Sequence, residues 1–129
     1  MLVWNVRGLK RNTVNHEFRS LCQNYDVVCL LETFCTEVDN INCLDDYVEF
    51  TFPAIRKSAR GRPSGGVVVY IKQCYAKKVS KVQSTLENAI FILFDKELFL
   101  FGKNVLLCCY YNRPDNATDG IHFLSEQTI

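Results

Sequence analysis

Long hydrophobic runs are absent from this 129-residue sequence, and so is any metal-ligand pattern of cysteine and histidine. No apolar stretch approaches the ~20 residues that cross a bilayer, and the start has no signal-peptide pattern, so we expect no membrane partner. The seven cysteines include no C-x-x-C pair, and neither histidine follows them at zinc-site spacing. These absences favour buried, reduced thiols in an intracellular protein, either nuclear or cytoplasmic.

Acidic residues are absent from the middle of the chain. The whole sequence carries 15 basic and 14 acidic side chains, yet residues 50–86 contain eight basic groups and no acidic one. Such a segment predicts contact with a polyanion such as DNA, because local charge sets the field that a partner meets. A solvated basic loop is the alternative interpretation. The eight groups are Arg56, Lys57, Arg60, Arg62, Lys72, Lys77, Lys78 and Lys81.

The first third of the chain follows a strand, helix, strand pattern. Leu2–Val6 predicts a buried strand, and the apolar spacing after Asn12 predicts an amphipathic helix with Thr13 as its N-cap. Val27–Leu31 predicts a second strand. A parallel pair joined by a right-handed crossover is the expected arrangement.

Strands dominate the rest of the sequence. With 48% apolar residues, the chain can bury one core, so we expect a single sheet-rich α/β domain. A helix-like stretch is predicted at residues 120–129, and the last two strand predictions form a hairpin around Gly102. The predicted strands are Tyr47–Phe52, Val67–Lys72, Lys77–Gln83, Ala89–Phe94, Glu97–Phe101 and Asn104–Tyr111.

Three polar side chains interrupt or end these strands. Asn5 lies inside the first strand and Glu32 directly follows the second, so both are expected at one edge of the sheet. An amide and a carboxylate oxygen suit Mg²⁺, although Asn5 could instead satisfy backbone groups and Glu32 could be a solvated strand end. Tyr111, or Tyr110 after a one-residue slip, could donate to a phosphate oxygen or be a core aromatic.

Four sequence motifs and their order along the chain resemble those of the endonuclease/exonuclease/phosphatase superfamily. Within this superfamily, the sequence is most similar to the apurinic-type endonuclease domain of non-LTR retrotransposons. The resemblance covers nearly the whole chain, and the Glu-Thr pair after an apolar strand is its strongest element. The motifs are Trp4–Leu9 (WNVRGL), Asp26–Thr33 (DVVCLLET), Ser64–Ile71 (SGGVVVYI) and Tyr111–Pro114 (YNRP).

The resemblance implies a fold, a reaction and residue roles. The fold is a four-layer α/β/β/α sandwich, of which residues 1–129 would be an N-terminal, truncated part. The reaction is Mg²⁺-dependent endonucleolytic cleavage of DNA. By match to the motifs, Glu32 would bind Mg²⁺, Asn5 would help position metal and phosphate, and Tyr111 would lie near the scissile phosphate.

The sequence contains neither the Gly-Asp-x-Asn nor the Ser-Asp-His motif that the family places after the tyrosine strand. Catalytic groups act as a unit, so we expect this chain alone to be inactive. The alternative hypothesis is a non-catalytic remnant that binds nucleic acid or pairs with another protein. The oligomeric state is not predicted.

Overall fold

The structure is a computed structural model that describes residues 1–39, 43–100 and 102–112. The predicted helix at residues 120–129 lies outside these ranges. No helix within them is long and apolar enough to cross a membrane. The regular elements are β1 (Leu2–Asn5), α1 (His16–Cys22), β2 (Val27–Leu31), β3 (Tyr47–Phe52), β4 (Val67–Lys72), β5 (Val79–Val82), β6 (Ala89–Phe94) and β7 (Val105–Tyr110).

The first sheet has the strand order β1-β2-β4-β3. The predicted parallel pair is confirmed, since Leu2 of β1 lies opposite Val28 and Asn5 lies opposite Leu31. Strand β4 is antiparallel to both β2 and β3, and its residues are almost all buried. The apolar, β-branched run of β4 therefore fills the centre of this sheet.

Helix α1 is confirmed, but the predicted N-cap is wrong. Asn15 caps the helix, and its side-chain oxygen accepts hydrogen bonds from the backbone N–H groups of Glu17 and Phe18. Thr13 instead donates its hydroxyl proton to the carbonyl of Lys10 at 2.9 Å. The helix starts two residues later than predicted because asparagine at position 15 satisfies the free N–H groups of the first turn.

The second sheet has the order β5-β6-β7, and all of its neighbours are antiparallel. The predicted hairpin of Glu97–Phe101 with the last strand is wrong, because β7 pairs with β6. Lys96–Leu98 forms a short 3-10 helix, in which the side chain of Asp95 accepts a hydrogen bond from the Glu97 N–H group. This local cap competes with strand pairing.

The two sheets pack face to face, and α1 covers the outer face of the first. Leu30 and Tyr70 pack toward Phe18 of the helix, whereas Val69 and Ile71 pack toward Ile92 of the second sheet. Strand alternation explains this division, because successive side chains point to opposite faces. The described residues thus form helix, sheet and sheet layers of an α/β sandwich, which confirms the predicted fold class.

The cysteines are mostly buried, as expected, and two of them face each other between the sheets. Cys22, Cys35 and Cys43 are free and buried in the core under α1. Cys29 of β2 and Cys109 of β7 face each other across the two sheets, with their Cα atoms 6.5 Å apart, and both side chains lie in the interface between the sheets. For this pair the reduced state stays a prediction.

Candidate functional site

The ends of β1 and β2 lie side by side and are tied together beyond the regular strands. The Val6 N–H group donates to the Leu31 carbonyl at 2.9 Å, and the Gly8 N–H group donates to the Glu32 carbonyl at 2.8 Å. Glu32 itself has a left-handed backbone, with φ of 54°. The chain therefore turns at Glu32, and the predicted meeting of the two strand ends at one edge of the sheet is present.

Glu32 is joined to the second sheet through its side chain. The hydroxyl of Tyr111 donates to Oε1 of Glu32 at 2.5 Å, and both side chains are half-buried. Tyr110 faces elsewhere, since its hydroxyl donates to Oδ1 of Asn112 at 2.7 Å. Of the two adjacent tyrosines, Tyr111 is thus the one that the fold brings to the carboxylate.

Asn5 ends β1 with an exposed side chain. Its Oδ1 atom accepts a hydrogen bond of 3.2 Å from the backbone N–H group of Arg7, whose φ is 47°. This bond stabilises the turn after the strand, which is the local role that the sequence left open as an alternative. The proposed role of Asn5 toward a metal stays a prediction.

The residues after Glu32 are held by the entry to β4. The N–H groups of Thr33 and Phe34 donate to the carbonyls of Gly66 and Gly65, at 3.2 and 3.0 Å. Gly65 and Gly66 have φ of 77° and 91°, and a Cβ atom at Gly66 would clash with the hydroxyl of Thr33. Glycine is required here because the backbone is left-handed and the Thr33 side chain lies against it.

Asn88 connects this glycine pair to the second sheet. Its side chain is 1% exposed, and its Oδ1 atom accepts from the Gly66 N–H group at 2.9 Å. Its backbone carbonyl accepts from the Tyr111 N–H group, also at 2.9 Å. Because the Gly66 N–H group is bonded to Asn88, it is not free to cradle an anion, and the glycine pair acts as a strand entry.

A basic pocket is formed in part by Thr33 and Phe34, the two residues that follow Glu32. Its volume is about 290 Å³. The guanidinium carbon of Arg62 lies 4.2 Å from the centroid of the Phe34 ring, which holds this loop cation against the pocket wall. Lys10 pairs with Asp39 at 2.5 Å, and its hydrogen bond lowers the pKa of that carboxyl. The pocket is lined by Arg7, Gly8, Lys10, Arg11, Thr33, Phe34 and Arg62.

Part of the positive charge of the basic segment 50–86 is engaged in ion pairs. Lys72 lies 3.2 Å from the carboxylate of Asp26, and Lys78 pairs with Glu97. In both cases the hydrogen bond to the carboxylate raises the pKa of the lysine. Of the eight predicted cations, Arg62 lines the basic pocket, and contact of the segment with DNA stays a prediction.

Sequence reasoning missed Asn88 and the pocket cations Arg7, Lys10 and Arg11. Asn88 precedes an apolar strand, where a single polar residue is ordinary, and no spacing signals that its side chain is buried. The three cations sit in the turn after Asn5, in a part of the sequence with more acidic than basic groups. Their proximity to Arg62 depends on tertiary structure, because more than fifty residues separate them from it.

A model of the endonuclease/exonuclease/phosphatase family matches residues 2–123. The match spans nearly the whole sequence, so the chain belongs to this family.

Among solved structures, the chain is similar to the AP endonuclease LMAP from Leishmania major, with a TM-score of 0.62 and 20% sequence identity. The alignment covers 84% of this chain and 38% of that protein. At this identity the likeness supports the shared fold. No curated protein matches the chain.

Proposed function

We propose that the edge of the sheet at Glu32 is the metal and phosphate site of a DNA phosphodiesterase. The observation that carries this proposal is the 2.5 Å hydrogen bond from Tyr111 to Glu32, which brings together a carboxylate and a phenol from separate sheets. The resemblance of their sequence motifs to the family's assigns both residues to its site, and family membership supports hydrolysis of phosphate esters.

The donor atoms fit a hard divalent cation such as Mg²⁺. Glu32 offers a carboxylate and Asn5 an amide oxygen, and Mg²⁺ is commonly held by one or two carboxylates while water and substrate phosphate complete its shell. The described residues contain no group of three or more His, Cys, Asp or Glu side chains that could hold a metal. We therefore propose a site in which water and substrate phosphate supply the remaining metal ligands. When bound, the cation would polarise the phosphate and stabilise the leaving oxygen.

The chain's own residues would orient the substrate. Tyr111 fixes one oxygen of Glu32, so the carboxylate keeps a defined direction at the strand end. Arg7, Arg11 and Arg62 place positive charge next to Thr33, the residue after Glu32. Nucleic-acid phosphates bind such cations by displacing counterions, so DNA is the partner that we propose.

The finer classification is also a proposal. The Ser64–Ile71 strand motif supports the apurinic-type domain of non-LTR retrotransposons, and we propose that residues 1–129 are a partial domain of this type. An intracellular location is proposed from the many buried cysteines. The three catalytic candidates present are Asn5, Glu32 and Tyr111, and the family's later Asp, Asn and His motifs are not among the 129 residues. We therefore expect Mg²⁺-dependent substrate binding by this chain without appreciable cleavage.

Two assays test this proposal. Fluorescence anisotropy of a labelled DNA duplex should show that Mg²⁺ raises the affinity of the wild type and of the matched control Glu17→Ala, but not of Glu32→Ala. If Mg²⁺ raised the affinity of Glu32→Ala as much as that of the wild type, the proposed metal site at Glu32 would be contradicted. Supercoiled plasmid should not be nicked above background. Nicking that needs Mg²⁺ and disappears in Glu32→Ala would contradict the expected inactivity.

The basic pocket favours a second function, nucleic-acid binding without catalysis. Its four cations could hold DNA whether or not a metal is bound. In that case Mg²⁺ would not raise the affinity of either the wild type or Glu32→Ala, because added cations compete with such contacts. The anisotropy experiment therefore separates the two functions.

A further inference from the structure

Asn88 combines two properties that are rarely found together. It is a polar side chain with 1% of its surface exposed, and its backbone is left-handed, with φ of 55°. Asparagine tolerates this conformation better than most residues with a side chain. A buried amide must have hydrogen-bond partners, so its contacts indicate why asparagine stands here.

Those contacts join the two sheets. The side chain of Asn88 accepts from Gly66 at the entry to β4, and its backbone carbonyl accepts from Tyr111 directly after β7. The fit to the first sheet is close, because a Cβ atom on Gly65 would clash with the Asn88 amide oxygen. Asn88 is thus fixed on both sides, and a shift of one sheet edge would be transmitted to the other.

These bonds close a ring that contains the proposed site. Glu32 is followed by Thr33, whose N–H group donates to the Gly66 carbonyl at 3.2 Å. Gly66 donates to Asn88, and Asn88 accepts from the backbone of Tyr111. The Tyr111 hydroxyl completes the ring by donating to Glu32.

We infer that Asn88 is a positioning residue that sets the reach of Tyr111 to Glu32. The inference rests on the proposed function of these two side chains. Tyr111 lies just past the last residue of β7, and its N–H group donates to the backbone carbonyl of Asn88, which continues the β6–β7 pairing by one residue. Without the side-chain acceptor at position 88, the two sheet edges separate and Tyr111 loses its contact with the carboxylate.

The test uses the 129-residue chain with tyrosine ¹³C-labelled at Cζ, the ring carbon that carries the hydroxyl. The Tyr111 resonance is assigned by its absence in Tyr111→Phe, and Glu32→Ala gives its position when the hydrogen bond is lost. Asn88→Gly keeps the left-handed backbone and removes the acceptor, whereas Asn88→Asp keeps an acceptor oxygen. Asp46→Gly is the matched control, because Asp46 is exposed and has φ of 63°.

In Asn88→Gly the Tyr111 resonance should move at least half of the way toward its position in Glu32→Ala. It should stay at the wild-type position in Asn88→Asp and Asp46→Gly. A folded Asn88→Gly with an unmoved resonance would overturn the inference, and so would an Asn88→Asp resonance that moves as far as that of Asn88→Gly. These readouts need neither metal nor cleavage, so they are independent of the nuclease proposal.

If Asn88→Gly does not fold, amide hydrogen exchange in the wild type tests the inference instead. The N–H groups of Gly66 and Tyr111 both bond to Asn88, so they should exchange through one opening event, with protection factors equal within about threefold. Protection that differs by more than about tenfold would show that the two bonds open separately and would overturn the inference.

Discussion

Tyr111 and Glu32 lie 79 positions apart in the chain, and a hydrogen bond of 2.5 Å joins their side chains. The carboxylate ends a strand of the first sheet, and the phenol follows a strand of the second. The bond therefore depends on the docking of the two sheets, and it is the contact on which the proposed site is built.

A double-mutant cycle should measure this contact. From urea unfolding, the coupling free energy between Tyr111→Phe and Glu32→Ala should be about 1–2 kcal/mol, because a hydrogen bond to a charged acceptor is lost. Tyr110→Phe is the control, since Tyr110 bonds to Asn112. Its coupling to Glu32→Ala should be close to zero, and equal coupling for both tyrosines would contradict the contact.

Gly66 should be far less tolerant of a side chain than Gly102, although both have positive φ. At Gly66 a Cβ atom would clash with Thr33, whereas at Gly102 it would meet no atom of the described residues within 4 Å, its chain neighbours aside. We expect Gly66→Ala to lower the free energy of unfolding by about 3 kcal/mol, and Gly102→Ala by about 1 kcal/mol from backbone strain. Similar losses in urea unfolding would show that the close approach to Thr33 does not matter.

Local signals account for the parts of the fold that sequence reasoning predicted. The β-branched run of β4 and the strand, helix, strand pattern at the start needed no tertiary knowledge, and Asn5 and Glu32 followed from the rule that parallel strand ends meet. The predicted hairpin failed because Asp95 caps a 3-10 helix, which alternation of apolar residues does not reveal. The N-cap prediction failed because Thr13 and Asn15 are both suitable capping residues, and the structure uses Asn15.

The candidate site was predicted less completely because part of it depends on long-range contacts. Resemblance to the family motifs selected Tyr111, whereas physics alone left Tyr110 open. Asn88 and the cations that join Arg62 in the pocket come from distant segments, and each is individually an ordinary polar residue. Their assignment to the site depends on burial and on proximity in the fold, and the spacing of residues in the sequence predicts neither.

The buried thiol of Cys22 should make stability fall in alkali. Burial raises its pKa to about 11, so between pH 9 and 11 the folded chain keeps a proton that the unfolded chain releases. The free energy of unfolding is then lost as the pH rises through this window. The loss in urea unfolding should be smaller in Cys22→Ala. Cys74→Ala is the control, because Cys74 is exposed, and an equal effect of both variants would contradict the assignment.

Charge reversal in the basic pocket should weaken DNA binding. Arg62→Glu should lower the affinity at low salt by about tenfold and reduce the slope of log K against log salt by about one phosphate contact. Lys81→Glu makes the same charge change on β5, away from the pocket, and should have a smaller effect. Equal losses in fluorescence anisotropy would indicate that overall charge, and not the pocket, governs binding.

The most direct test of the proposed site is paramagnetic line broadening by Mn²⁺, a stand-in for Mg²⁺ that reports weak binding. In the wild type and in the control Glu17→Gln, broadening of backbone amide signals should be concentrated at Asn5, Glu32 and Tyr111. In Glu32→Gln the broadening at these three positions should be lost while the fold is retained. The same broadening pattern in Glu32→Gln and in the wild type would contradict the assignment of Glu32 as the metal ligand.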